Sequence, residues 1–273
     1  MNRLFSILTL LVCTCAMQAQ TDSLPCTTSA YHIGVGPMNV LDTYLSQEKF
    51  TGTGFTFLSD TEYERPGRRW MTVMQHQARF SMLHDRTDTE DELEGAYDFY
   101  VGRYYTLNVL RSTLNPPPST LHLQIGCMLN GGAGFIYNTS NSNNPAQARA
   151  HLNLMPSARA SYGFTLLKRP MALHYELDLP LVGIMFSPNY GQSYYEIFNR
   201  GNYDHNIVPT TFISAPSFRQ QLMLNVGLSK RLTMRIGYLG DYQQAKVNNL
   251  KQHIYAHQFM IGIVRTIRVL NDK

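Results

Sequence analysis

His174, Glu176 and Asp178 alternate with Leu173, Tyr175, Leu177 and Leu179, and the segment before them carries Arg149, His151, Asn153, Ser157 and Arg159 at the same two-residue spacing. Carboxylates two residues apart, with histidine and arginine on a neighbouring segment, are groups that pair with one another, bind an ion or move a proton. Arg219 and Arg235 occupy polar positions of the same alternation further along. Arg159, His174, Glu176, Asp178, Arg219 and Arg235 therefore form the candidate ligand set, with Arg79, His122, His151 and Asp241 beside them. Mutual pairing is the ordinary use of such charges, because an isolated buried charge is costly; a small polar pocket on Glu176 and Asp178 is the functional alternative.

Other chemistries find less support. Two carboxylates lack the further ligands a cation site requires, and the cysteines have no metal-type spacing, so neither metal nor cofactor is expected. A hydrolase needs a serine beside an oriented histidine. Ser157 with His151 is one such couple, yet no His-x-Ser-Asn-Gly run like that of outer-membrane phospholipases occurs, and no catalytic residue is assigned. A second candidate group lies in the irregular stretch 187–216, where Tyr190, Tyr194, Tyr195 and Tyr203 accompany Asp204 and His205. These aromatics suit a plug in a barrel mouth or an outward stacking surface; the Asp204-His205 dipeptide is either an acid/base pair or a turn.

The elements that position these residues follow from the alternation itself. From Ala150 to Leu166 the even positions are mostly apolar and the odd ones polar; after Lys168-Arg169-Pro170 the parity reverses through Leu181. Side chains of a strand alternate between faces, so 149–186 reads as a long hairpin with one apolar and one charged face. The charged face mixes both signs as a lumen would, which predicts a transmembrane hairpin with its apolar side toward lipid. Similar stretches are expected at 31–38, 51–59, 70–83, 97–109, 121–130, 218–228, 232–242 and 255–269. Short breaks (64–67, 115–118, 168–170, 229–231) alternate with longer or more polar ones (42–49, 84–95, 138–146, 187–216, 246–251), as outer-membrane barrels alternate periplasmic turns with outer loops. The acidic run 84–95 reads as a solvated loop. A hairpin hidden within 187–216 would raise the count from about ten strands to twelve.

Residues 1–19 have the basic start, short apolar run and small residue at the end of a secretory signal. No other apolar run is long enough for a membrane helix, so any membrane role falls to a barrel. Charged residues are 15% and aromatics 11% of the 273 residues. Without the signal, 22 basic against 19 acidic residues leave a net charge of +3 in place of +4, too weak a bias to predict nucleic-acid binding. Cys26 and Cys127 remain, and an exported protein could join them.

The runs GVGPMNVLDTYLS (34–46), NNPAQA (143–148), LPLVGIMFSPNYGQSYYEIFNRGNYDHN (179–206) and RIGYLGDYQQAKVNNLKQH (235–253) resemble a Bacteroidetes family of exported proteins known as domain of unknown function 3316. The resemblance spans essentially the whole mature chain. It implies an outer-membrane barrel and brings no activity, ligand or site residue with it.

The expectation is thus an all-β protein: residues 20–273 form an antiparallel up-and-down transmembrane β-barrel, with outer-membrane lipid as partner and a small molecule as a candidate ligand. The alternatives are a lipid-modifying hydrolase of the outer membrane and a soluble exported barrel of lipocalin type. The latter requires the apolar face inside.

Overall fold

Alternation of period two runs through most of the described residues, and the chain folds accordingly into strands. The computed structural model describes residues 26–65, 67–107, 110–112, 119–141, 144–229 and 232–268; the signal segment 1–19 and the proline turn 115–118 lie outside them. The strands are β1 (Cys26–Asp42), β2 (Phe50–Glu64), β3 (Trp70–His84), β4 (Asp91–Thr106), β5 (Leu110–Ser112), β6 (Ser119–Asn138) and β7 (Ala146–Leu166). They continue with β8 (Arg169–Asp178), β9 (Val182–Phe186), β10 (Ile207–Thr211), β11 (Phe218–Gly227), β12 (Thr233–Val247) and β13 (Leu250–Arg268); one short helix, α1, spans Tyr194–Phe198.

Ten of these strands pair antiparallel in the order β1-β2-β3-β4-β6-β7-β8-β11-β12-β13, and β13 returns to β1 to close the ring, with Cys26 opposite Arg268 and Asp42 opposite Gln252. β9 continues the line of β8 along β7, and β10 pairs with β9. The stretch 187–216 contains one further strand, β10, whose partner β9 precedes it, so the hairpin is not contained in that stretch; among the described residues ten strands close the barrel, β9 and β10 extend its wall, and the short β5 pairs with β6. The strand ends that flank the breaks expected to be short lie at the end where β1 starts and β13 stops, here the lower end, and those that flank the longer ones lie at the upper end.

Phe55, Phe80, Ile125, Leu154, Phe259 and Ile261 point outward, while Arg79, Glu94, Asp98, Glu176, Asp178 and Arg219 are buried inside. Ile125 is 52% and Leu152 43% exposed, which overturns the lipocalin-type alternative, since that arrangement would bury both. The exceptions on the outer face find partners there. His76 Nδ1 lies 2.6 Å from the Tyr97 hydroxyl, and the Arg103 guanidinium sits 5.4 Å from the Trp70 ring, an attractive cation–π placement.

The acidic run 84–95 is only half a loop. β4 begins at Asp91, and Glu92 and Glu94 are buried in the interior because the alternation continues through the charges and their partners come from other strands. The first two strands likewise run beyond 31–38 and 51–59, bringing Asp42, Asp60 and Glu62 into the barrel. Cys26 and Cys127, whose pairing the sequence leaves open, are both free thiols; they lie on β1 and β6, with three wall strands between them.

Candidate functional site: a charged belt and the vestibule beneath it

The lumen residues come from strands whose inward parity places a charge on nearly every wall. Arg159 (β7) stands opposite Glu176 (β8) in the ladder, and Arg219 (β11) opposite Asp178. Arg159 is the most connected. Its Nε bonds Glu176, its Nη1 lies 2.9 Å from Glu62 and its Nη2 3.4 Å from Asp60. Arg219 Nη1 is 2.9 Å from Asp178 and 3.5 Å from Glu176, and its guanidinium lies 4.5 Å from the Tyr100 ring. Higher up, Arg79 bridges Glu94 at 3.0 Å and Asp241 at 2.9 Å. The side chains of Gln75, Gln77 and Gln221 fill the gaps between these groups, donating to Glu176, Asp241 and Glu176 in turn. The belt is a paired network of the kind that makes buried charge tolerable.

Above it the interior turns apolar. Met38, Val40, Phe50, Leu83, Ile136 and Ile254 form one buried cluster against which Tyr44 packs. The upper loop 187–206 covers this cluster. Ser193 caps α1 and Glu196 reciprocates, its carboxylate accepting the Ser193 N–H at 2.8 Å, which is a capping box. These bonds hold the Glu196 carboxyl below the ordinary glutamate range. The Tyr194 hydroxyl donates to Gln147 at 2.8 Å and accepts the Ala148 N–H at 2.7 Å. The Tyr44 hydroxyl donates to the Gln192 carbonyl at 3.0 Å, and burial pushes that phenol up from its ordinary value. The loop is therefore fastened to β7 and to the β1–β2 connection.

Below the belt the lumen opens into a cavity of about 240 Å³ lined by Asp60, Glu62, Glu64, His122, Arg159, His174, Glu176 and Arg235, among others. Arg235 Nε donates to Asn225 Oδ1 at 2.5 Å, and Asn225 Nδ2 lies 2.9 Å from His174 Nε2. Arg235 Nη1 reaches Asp60 Oδ2 at 3.7 Å. Asp60 Oδ1 is buried and has no hydrogen-bond partner, an unmet acceptor in a polar space.

Of the candidate ligand set, Arg159, His174, Glu176 and Arg235 come together in this vestibule, while Arg219 and Asp178 sit in the belt above it. The loop set separates. Tyr194 is the anchor, and Tyr190, Tyr195 and Tyr203 face outward, at 70%, 58% and 65% exposure. Asp204 and His205 bond one another at the surface, and His205 has a positive φ of 51°, so this dipeptide is a turn. Ser157 and His151 are not partners. Ser157 Oγ donates to Asp178 at 2.5 Å and lies 2.7 Å from the Tyr104 hydroxyl, whereas His151 Nε2 lies 3.0 Å from Asp98. Six residues apart on one strand, the two are separated by roughly 20 Å. Asp60, Glu62, Glu94 and Asp98 were not among the expected site residues; the signal available for them was the parity of the flanking residues. Among the described residues no group of three or more His, Cys, Asp or Glu side chains is placed to hold a metal.

The family model for protein of unknown function (DUF3316) matches residues 4–273, and the chain belongs to that family. No curated protein matches it. Among solved structures it is similar to the outer membrane protease OmpT from Escherichia coli, at 9% identity and a TM-score of 0.48, over 92% of this chain and 99% of that one. It is also similar to the transport unit of the autotransporter AIDA-I from Escherichia coli, at 9% identity and a TM-score of 0.40, over 96% and 97%. A third is the COG4313 outer membrane channel from Pseudomonas putida F1, at 9% identity and a TM-score of 0.36, over 92% and 98%. At such identities no residue role passes from them to this chain.

Proposed function

We propose that this family member is an exported, non-enzymatic barrel of the outer membrane whose lower vestibule binds a small cationic amine, while the charged belt above keeps the lumen closed to ions. The membrane setting is supported by the outward apolar band and by wall strands such as β3 and β6, 15 and 20 residues long, where a span needs ~9 to 11. The longer connections belong outside the cell and the short turns in the periplasm, so the vestibule opens to the periplasm.

The observation that carries the ligand reading is Asp60 Oδ1, buried and unpartnered in a cavity whose lining holds four carboxylates (Asp60, Glu62, Glu64, Glu176) against two guanidiniums (Arg159, Arg235). Two negative charges remain in excess, and both arginines already engage carboxylates. An ammonium group supplies what is missing: positive charge and several donors on one small centre.

The test is calorimetric titration of putrescine into the full-length protein refolded in a nonionic detergent. Saturable binding is expected, weakened about ten- to a hundred-fold by Asp60→Asn, the worth of a hydrogen bond to a charged group. Absence of saturable binding, or equal affinity in the variant, overturns the amine reading.

A further inference from the structure

We infer that the barrel wall has a lateral seam between β10 and β12 through which the acidic head of a single-chain amphiphile enters, to be held by Arg149. The seam follows from the register. Thr211 pairs with Val182 and Arg219 with Asp178, so the chain spends seven residues (212–218) where the facing strand spends three (179–181). The four extra residues cannot lie in the ladder. Pro180, with no N–H to give, sits at the same level, and the excess turns out of the wall toward β12.

On the far side, β11 leaves β12 at the Phe218–Tyr242 pair. Residues 243–247 continue upward with a strand partner on the β13 side alone, and β10 has β9 as its sole ladder neighbour. Over roughly 17 Å of height the wall is bridged by a turn instead of a ladder. The gap is held by single bonds: the Lys246 N–H to the Ser214 carbonyl at 3.0 Å, the Gln244 side chain to the Pro216 carbonyl at 2.7 Å, the Gln244 N–H to Ser217 Oγ at 3.1 Å with Ser217 Oγ donating back to the Gln244 carbonyl at 3.3 Å, and, at its top, the Asn248 side chain to the Ser187 and His205 carbonyls at 3.1 and 2.9 Å.

A cavity of about 70 Å³ passes through this gap, lined from inside by Arg149, Asp241 and Gln243 and from outside by Leu181, Val182 and Phe218. A water needs ~10 to 15 Å³, so the space accommodates a carboxylate or phosphate head. Arg149 is the group that asks for one. Arg79, Arg159, Arg219 and Arg235 each have a carboxylate within 4 Å. Among the described residues Arg149 has none; its one hydrogen bond is from Nη2 to Gln243 Oε1 at 3.4 Å, and its Nε is buried without a partner. Of the acids around it, Glu94 is bonded to Arg79 and Ser81, Asp241 to Arg79, Gln77 and Gln243, and Asp98 to His151 and Asn130, while Asp42, whose Oδ1 accepts the Tyr44 N–H and whose Oδ2 is buried without a partner, makes no ion pair with Arg149. A planar cation with free donors, reached between apolar lips that face lipid, fits an anion carried on an alkyl chain. The site is separate from the vestibule and does not depend on it.

The test titrates sodium dodecanoate, sodium butyrate and dodecanol into the full-length protein in nonionic detergent. Dodecanoate is expected to saturate, dodecanol not to displace it, and Arg149→Gln to weaken it about ten- to a hundred-fold, with Arg149→Lys recovering part of the loss. Leu181→Trp, which fills the outer lip without touching Arg149, is expected to abolish dodecanoate uptake even if Arg149→Gln does not fold. Equal dodecanoate affinity in a folded Arg149→Gln protein overturns the head site. Butyrate binding as tightly as dodecanoate, or unchanged uptake in Leu181→Trp, overturns the lateral route in favour of a free anion arriving from solvent.

Discussion

Arg219 of β11 stands directly across the ladder from Asp178 of β8, with Nη1 2.9 Å from Asp178 Oδ2 and both side chains almost wholly buried. Neighbouring strands thus neutralise one another's charge within the lumen, and the same cross-strand logic joins Arg159 to Glu176. Removing one partner strands the other in a poorly solvated space. Arg219→Met is expected to destabilise the barrel by about 3 to 5 kcal/mol, and the double variant Arg219→Met/Asp178→Leu to regain most of that loss. Equilibrium urea unfolding in detergent micelles reads both values; a double variant no more stable than the single one would sink the pairing account.

The outer face gives a depth-dependent prediction. Leu154 lies near the middle of β7 and Leu166 at its lower end, and both point outward, at 46% and 52% exposure. Leu154→Arg should cost about 2 to 4 kcal/mol in a bilayer and Leu166→Arg only about 0 to 1. Equal costs at the two depths would argue against a membrane-spanning wall.

The β7–β8 connection is a two-residue turn at Leu167 and Lys168, with φ of 52° and 62°. Neither residue suits the left-handed region, which asparagine and glycine occupy readily. The pair Leu167→Asn/Lys168→Gly is expected to stabilise the barrel by about 1 kcal/mol or more in the same urea experiment; a loss of stability would mean that the turn adopts another conformation.

The capping box of α1 gives a pH dependence. Its bonds hold the Glu196 carboxyl below the ordinary value of 4.5, so the stabilisation is present above that value and is lost as pH falls through the lower folded value. Hydrogen-exchange protection at the Ser193 and Glu196 amides should stay level from pH 7 to about 5 and fall under more acid conditions. Protection that is unchanged in Glu196→Ala at pH 7 would remove the box from the account.

Strand parity made the wall legible in the sequence. The alternation at 149–181 placed Arg159, Glu176 and Asp178 on one inner face, and Arg219 and Arg235 followed by the same count. Glu92 and Glu94 were hidden because charge density in 84–95 resembles a solvated loop. The arginine that neutralises Glu94 is Arg79, on the strand before, and the reason for burial lies in that pairing across the sheet. The seam was hidden for a different reason: a ladder is lost through four surplus residues in one strand relative to another, and that difference exists only once the strands are paired. The aromatic loop was half legible, since Tyr194 and Tyr195 are adjacent and only packing against Tyr44 and Phe186 decides which of them anchors.

The most direct test of the membrane barrel is fractionation of native cells, with membranes washed in carbonate and urea, followed by gel migration with and without boiling. The account predicts retention in the outer-membrane pellet and a band that shifts on heating, as a closed barrel unfolds. Release into the soluble fraction, with no heat-dependent shift, would contradict it.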